Sequence, residues 1–443
     1  MAARITPRTL KGFRDYLPEA MIPRERLIET ARRVYRSYGF SPIDTPALEY
    51  LEILQGKGSD ETDKQLYQFE DHGGRQVGMR FDLTVPLARF AAQHLADLPL
   101  PFKRYHVATV WRGENTQRGR YREFMQCDFD TIGTLATGAD VETALVIHDL
   151  MQAIGFEEFR IHVNHRMVLN GFLERQGIAD RSVPVLRALD KLGKIGPEAV
   201  IAEMTEVASL TSAQASAVLE FAAISGSPDE VLAKLPPIVA GSTTGEAGLE
   251  RLSELIRGLR AAGVPDGRLD LDVSIARGLD YYTGVIFETT LNAIPSLGSV
   301  CSGGRYDNLA GLFTSQTLPG IGASLGLDRL LAGMEELGLI EKTATTAPVF
   351  LVFFDAAGYA NYLRISTALR RAGIGCELYP EPKKLGVQLK YADRRGFRLA
   401  LIAGEEEFGR GVIQIKDLAS GNKTEVQTGE DFKPLIAALR EQL

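Results

Sequence analysis

The run Ile275-Ala276-Arg277-Gly278-Leu279-Asp280-Tyr281-Tyr282-Thr283-Gly284 sets an arginine, a carboxylate and two tyrosines beside two glycines, at the end of a strand-like segment. Upstream, Leu269, Leu271, Val273 and Ile275 alternate with Asp270, Asp272 and Ser274, the period of a strand with one buried face. Such a strand delivers Arg277 to a sheet edge, where glycine allows close backbone approach and a guanidinium favours an anion such as a phosphate. The plainer use of a single arginine is an ion pair, and Asp272, Asp280 and Asp307 are there to neutralise it.

A chain of 443 residues exceeds what one core encloses, so two or three domains are expected. Leu27, Ile28, Ala31, Val34, Tyr35 and Tyr38 recur at helical spacing, with Pro23 suited to a first turn and Gly39 to a stop. Residues 40–51, with Pro42 and Pro46 inside, read as an extended segment at an edge or interface. Over 77–130 short apolar runs alternate with charged turns, and an amphipathic helix follows over about 140–154, a mixed helix and antiparallel-sheet pattern. Residues 173–265, poor in aromatics, read as a helical insertion between a first core segment, 1–172, and a second, 266–340. A polar linker, 341–346, precedes a tail, 347–443, that alternates as β-α-β-α-β, adds a hairpin around Ser420-Gly421-Asn422 and closes with a helix. The expected fold class is α+β: an antiparallel-sheet core with a helical insertion, plus a C-terminal α/β domain.

The net charge of -7 argues against a whole-surface grip on nucleic acid and leaves only local patches. Cys127, Cys301 and Cys376 lie far apart without a His/Cys cluster, so neither a zinc site nor a disulfide framework is predicted, and a reduced, cytoplasmic setting is expected. No stretch approaches a membrane span, and the N-terminus lacks the apolar core of a signal peptide.

Trp111-Arg112-Gly113-Glu114 through Gly119-Arg120-Tyr121-Arg122-Glu123-Phe124 predicts an antiparallel hairpin with arginines on both arms of a polar tip. Gly320 to Arg329 formally contains a nucleophile elbow around Ser324, but that chemistry needs a histidine downstream and His165 is the last in the chain. A Gly-x-x-x-x-Gly-Lys-Ser/Thr loop is absent, so any nucleotide must be held by arginines. Met79 to Pro86 reads as an alternating strand ending at a proline. Gln126 and Asp130, four apart on the strand after the hairpin, share one face. His162 and His165 read as polar-face residues rather than metal ligands. Lys383, Lys384, Lys390, Arg394, Arg395 and Arg398 concentrate positive charge on one tail element.

Together, Arg277 to Gly284, Ser302-Gly303-Gly304-Arg305-Tyr306-Asp307, the hairpin and the Gly320–Arg329 segment resemble the histidyl-tRNA synthetases, class II aminoacyl-tRNA synthetases, across nearly the whole chain. The resemblance implies ATP and Mg2+ as cofactors, histidine and tRNA(His) as substrates, and a homodimer joined near residues 40–49. In the hairpin it implies that Arg112 clamps the ATP α-phosphate, Glu114 meets the adenine side, Phe124 stacks on adenine and Asn115, Thr116, Gln117 and Arg118 face the tRNA acceptor end. It further implies that Arg329 grips the γ-phosphate, and that Arg277 meets the α-phosphate with help from Tyr281 and Tyr306. Asp82, Thr84 and Gln126 are then expected at the substrate ammonium, and Asp130 and Tyr282 at its imidazole. The basic tail element is expected at the anticodon. Two departures stand out: many members carry glutamate where this chain has Asp130, and a basic, proline-containing tip where it has Asn115 to Arg118. The second departure raises the hypothesis of altered dependence on the extra 5' guanosine of tRNA(His). The rival resemblance is the non-catalytic regulatory subunit of ATP phosphoribosyltransferase, which generally lacks the tail domain and preserves the arginines poorly.

Overall fold

The computed structural model describes residues 5–55, 63–275, 281–340 and 343–443. It contains two compact units, residues 1–14 with 27–337 and residues 15–26 with 338–443. Helix α1 (Pro18–Ser37) starts earlier than the sequence suggests and carries Pro23 inside it. Leu27, Ile28, Ala31, Val34 and Tyr35 form its buried stripe, and Gly39 at φ +79° ends the turn that follows.

The strands β1 (Ser41–Pro42) and β2 (Leu48–Tyr50) are short and interrupted, as their prolines require. After helix α2 (Leu51–Leu54) come β3 (Gln68–Glu70) and β4 (Gln76–Met79), which complete a three-stranded sheet ordered β2-β4-β3. The expected strand over Met79 to Pro86 is corrected here. Pairing stops at Met79; Asp82 Oδ1 then accepts the backbone N–H groups of Thr84 and Val85 at 3.2 and 3.0 Å, and α3 (Thr84–Gln93) begins. A carboxylate satisfying those otherwise orphan donors favours the helix, and Pro86 in its first turn loses nothing by lacking an N–H.

The main sheet is built on the hairpin β5 (Phe102–Trp111) and β6 (Glu123–Ile132). Helix α4 (Thr137–Ile154) and β7 (Phe159–His165) lead into the helical stretch, which starts with α5 (Arg166–Arg175). It continues through α6 (Ser182–Leu189), α7 (Leu192–Ile195), α8 (Pro197–Glu206), α9 (Ser212–Ala222), α10 (Pro228–Lys234) and α11 (Pro236–Val239) to α12 (Thr243–Ala261). Capping boxes at Thr211/Gln214 and Ser227/Glu230 start α9 and α10. Helices α5 and α12 cross so closely that a Cβ on Gly171 would stand 2.3 Å from the Gly245 Cα, so both positions need glycine.

The chain returns through β8 (Leu269–Leu271), β9 (Val285–Leu291), β10 (Cys301–Arg305), β11 (Gly320–Gly326) and α13 (Leu327–Glu336). Strand order is β1-β5-β6-β11-β10-β9-β7-β8, antiparallel except for the outer pairs β1/β5 and β7/β8. The strand expected through Ile275 pairs only as far as Leu271, because Asp272 turns back to accept the backbone N–H and hydroxyl of Ser274 at 2.9 and 2.5 Å. Its alternation of burial nevertheless persists through Val273 and Ile275.

In the smaller unit, β12 (Val349–Leu351), α14 (Tyr359–Arg371), β13 (Cys376–Leu378), α15 (Leu385–Arg395), β14 (Leu399–Ile402), α16 (Glu405–Arg410), β15 (Val412–Asp417), β16 (Lys423–Gln427) and α17 (Lys433–Gln442) give a sheet ordered β13-β12-β14-β15-β16. Val349 and Leu351 pack with Tyr362, Ile365 and Leu435 on one side, while Phe350 and Val352 pack with Ala392 and Phe397 on the other. A strand buried on both faces explains the unbroken apolar run from Val349. Helix α16 is the element that the sequence pattern did not reveal.

Candidate active site

Alternation along β6 builds the site. Cys127 and Phe129 point to the buried layer, where the Tyr35 hydroxyl donates to the Cys127 carbonyl at 2.9 Å and its ring lies 5.0 Å from that of Phe129. Gln126, Asp128 and Asp130 point to the opposite face and line a cavity of about 530 Å³. Register decides their neighbours: Asp130 lies between Arg104 of β5 and Gly322 of β11, Asp128 between His106 and Ser324, and Gln126 between Ala108 and Gly326. The glycines make room, since a Cβ on Gly322 would fall 2.1 Å from Asp130 Oδ1 and one on Gly320 would fall 2.3 Å from the Tyr306 ring.

One end of the cavity is cationic. Arg112 donates to the Phe81 carbonyl at 3.1 Å and stands 4.3 and 5.1 Å from the Phe81 and Phe124 rings. Arg329 donates to the Ser299 carbonyl at 2.6 Å. Burial lowers the proton affinity of both guanidiniums, and Arg329 is further disfavoured by Arg120 and Arg112. Like charges gathered in a recess invite an anion that bridges them. Glu114 lines the same end, with its carboxylate 3.6 Å from Arg120.

The other end is acidic and aromatic. Asp130 is fully engaged: the Tyr306 hydroxyl donates to Oδ1 at 2.5 Å and the Arg104 guanidinium pairs with Oδ2 at 2.6 Å. Burial raises the Asp82, Asp128 and Asp130 carboxyls above their ordinary range, Asp128 to about 7, with Arg104 opposing the rise at all three. Tyr281 packs edge-on against Tyr282 and Tyr306, with centroids 5.3 and 5.9 Å apart. Gln126 Nε2 donates to Ser324 Oγ at 2.8 Å.

Models of two families match the chain: "Histidyl-tRNA synthetase" over residues 12–330 and "Anticodon binding domain" over 349–438. The chain belongs to the histidyl-tRNA synthetase family. It is 63% identical to a histidine–tRNA ligase of Rhodopirellula baltica, covering 98% of this chain and 99% of that one. It is 46% identical to that of Wolinella succinogenes, covering 95% and 96%. The crystal structure of histidyl-tRNA synthetase from Nostoc superposes with a TM-score of 0.90 at 37% identity, covering 99% and 100%. Those likenesses agree with the expected fold class, an antiparallel-sheet core with helices and a C-terminal anticodon-binding α/β domain.

The cavity gathers Asp82, Thr84, Arg112, Glu114, Phe124, Gln126, Asp130, Tyr281, Tyr282, Tyr306 and Arg329 from the residues singled out in the sequence. Of the hairpin tip, Gln117 lines it, whereas Asn115, Thr116 and Arg118 do not; Arg118 instead pairs with Glu336 at 3.0 Å. Arg277 lies outside the described residues. His162 is held between Asp270 and Thr290 at 2.9 Å each, and His165 is buried with its imidazole pushed down to about 3, so the polar-face reading fails for His165. Among the described residues no cluster of three or more His, Cys, Asp or Glu suits a metal ion.

Sequence reasoning missed four contributors. Asp128 shares the face of Gln126 and Asp130, so the same period of two would have found it. Glu288 of β9 also lines the cavity. Arg104 is wholly buried and shows itself only through its register with Asp130. Asp328 joins three segments: Oδ2 accepts the Met125 backbone N–H at 2.9 Å, Oδ1 accepts Arg14 at 3.0 Å, and Arg14 also donates to the Tyr121 hydroxyl at 2.9 Å.

Proposed function

We propose that the protein is a histidine–tRNA ligase that uses ATP to form histidyl-adenylate and passes the histidyl group to the terminal ribose of tRNA(His). In the first step a carboxylate oxygen of histidine attacks the α-phosphorus, the bond to the bridging oxygen breaks, and pyrophosphate leaves. In the second, a ribose hydroxyl attacks the acyl carbon and AMP leaves. Arg112, with Arg277 by resemblance, offsets the charge that builds on the α-phosphate, while Arg329 holds the γ-phosphate and Phe124 stacks on adenine. Asp82, Thr84 and Gln126 hold the ammonium, and the imidazole lies at the end that carries Asp130, Tyr281, Tyr282 and Tyr306. No protein nucleophile is needed.

The observation that carries this reading is one cavity whose cationic end suits a triphosphate and whose other end offers buried carboxylates and phenols to a small polar ring. Glu114 and Glu288 supply the hard oxygen donors that suit Mg2+ held largely by the nucleotide itself. When bound, Mg2+ neutralises phosphate charge. Residues 1–172 and 266–340 act as the catalytic core, 173–265 as the insertion, 341–346 as the linker and 347–443 as the anticodon-binding domain. Arg118 and its neighbours in the tip meet the tRNA acceptor end. In the smaller unit Lys384, Lys390 and Arg394 are exposed on or beside α15, which supports a salt-dependent grip on the anticodon arm. Exposed Leu48, Tyr50 and Phe69 on the three-stranded sheet favour a homodimer, and the setting is cytoplasmic.

The test is ATP–pyrophosphate exchange with each amino acid in turn. Histidine alone is expected to support it, and absence of exchange from purified protein would remove this reading. The regulatory-subunit alternative predicts no exchange, and the match to an anticodon-binding model over 349–438 counts against it.

A further inference from the structure

Three aspartates line the cavity, and two are already satisfied by the protein. Asp82 Oδ1 accepts the N–H groups of Thr84 and Val85. Asp130 is engaged at both oxygens, by Tyr306 and Arg104. Asp128 differs: it is 2% exposed, and its Oδ1 has no hydrogen-bond partner among the described residues. Its cross-strand neighbour His106 turns its Nε2 to Asp44 at 2.9 Å, and the neighbouring Ser324 hydroxyl accepts Gln126. A buried carboxylate oxygen without a donor is costly, so a site that keeps one on the wall of a cavity is built for a ligand that brings an N–H.

Tyr282 is the complementary group. It lines the same cavity, lies within electrostatic reach of Asp128, and its hydroxyl has no hydrogen bond among the described residues. Neutral imidazole carries one N–H and one bare nitrogen, and the pair matches both. We propose that Asp128 and Tyr282 together recognise the substrate imidazole, the carboxylate accepting from the ring N–H and the phenol donating to the other nitrogen. Asp130 is then a positioning residue: its oxygens are occupied, and it acts by fixing Tyr306 and Arg104 beneath the ring. This inference rests on the proposed histidine specificity and names the atoms that supply it.

The test compares wild type with Asp128→Asn and the smaller Asp128→Ala in histidine-dependent ATP–pyrophosphate exchange. An amide cannot replace an acceptor aimed at an N–H without turning, so the KM for histidine should rise about a hundredfold or more in both variants, while the KM for ATP stays within about threefold. A histidine methylated on the ring nitrogen that Asp128 accepts from should be rejected strongly by wild type and much less by the variants. A histidine KM within about threefold of wild type in either active variant would overturn the proposal. So would an equal loss for histidine and its ring-methylated analogues, which would point to the ammonium instead. If neither variant folds, ring-15N histidine bound to wild type takes their place: a hydrogen-bonded N–H on one nitrogen supports the assignment, and shifts like those of free histidine refute it. Wild-type protein without exchange would sink the ligase reading itself, a result separate from an active wild type with indifferent variants.

Discussion

The cationic end of the cavity draws its arginines from a hairpin arm and a helix and steadies them on backbone carbonyls, Phe81 for Arg112 and Ser299 for Arg329. The acidic end instead sets Asp128 and Asp130 in the middle of an eight-stranded sheet, where register fixes each against Arg104, His106, Gly322 and Ser324. Side chains hung on carbonyls can adjust to a triphosphate that changes as the reaction proceeds. Groups locked in a sheet cannot, which suits discrimination of one small ring from others of similar size. The cost falls at the acidic end, where burial raises three carboxyl pKa values.

The sharpest way to break the acidic end is to unpair Arg104. Asp130→Asn leaves a wholly buried guanidinium without its counter-charge, and removing one partner of such a pair destabilises by about 3–5 kcal/mol. Urea unfolding of the larger unit, followed by its single tryptophan, Trp111, should report that loss. A loss under about 1 kcal/mol would show that solvent reaches the pair.

At the cationic end, Arg112→Ala and Arg329→Ala should leave the fold intact and lower exchange turnover by about 10²–10³, the usual effect of deleting one donor to developing charge. Arg277→Ala is expected to cut adenylate formation far more than ATP affinity, because its contact strengthens in the transition state. Pre-steady-state formation of adenylate measures both. Unchanged turnover in the Arg112 variant would separate the hairpin from the chemistry.

Asp128 allows the two ends to be compared through pH. Its carboxyl sits at about 7 in the folded protein, against about 3.9 in an unfolded chain. Below about pH 4 both states are protonated and nothing is lost. Between about pH 4 and pH 7 the unfolded chain ionises while the folded one keeps its proton, so stability falls as pH rises, by roughly 3 kcal/mol between pH 5 and pH 7. Asp128→Asn should remove that fall, so the free protein melts higher than wild type at pH 7 and the gain shrinks at pH 5. Parallel melting curves at both pH values would refute the assignment. Nothing of this kind is expected from Arg112→Ala.

Some of this arrangement was readable from the letters alone. The hairpin, the Gly320–Arg329 strand and helix, and the tail's alternation follow from period, turn residues and length, and the structure has them close to where the pattern placed them. Gln126 and Asp130 share a face because a strand alternates strictly. What stayed hidden depends on partners distant in sequence. Asp82 caps a helix rather than extending a strand, which is settled by where its oxygen meets two N–H groups, and Arg104 looks like any strand arginine until register sets it under Asp130. Glycines 320 and 322 suggest close helix packing in the sequence, yet they clear space for Tyr306 and Asp130.

Arg14 offers the smallest and most selective perturbation. Its two nitrogens tie the Tyr121 hydroxyl to Asp328, whose other oxygen holds the backbone of Met125 between Phe124 and Gln126, so one N-terminal side chain spans the hairpin and the helix that carries Arg329. Arg14→Lys keeps the charge but cannot donate along two directions from one plane, and should lose roughly 1 kcal/mol of that bridge. The cationic end depends on the bridge and the sheet-borne aspartates do not, so the KM for ATP should rise about fivefold while that for histidine moves less than twofold. Steady-state exchange with each substrate varied in turn gives both numbers. Equal shifts would mean that Arg14 steadies the whole unit, and the division between an adjustable phosphate end and a fixed ring end would then have no kinetic counterpart.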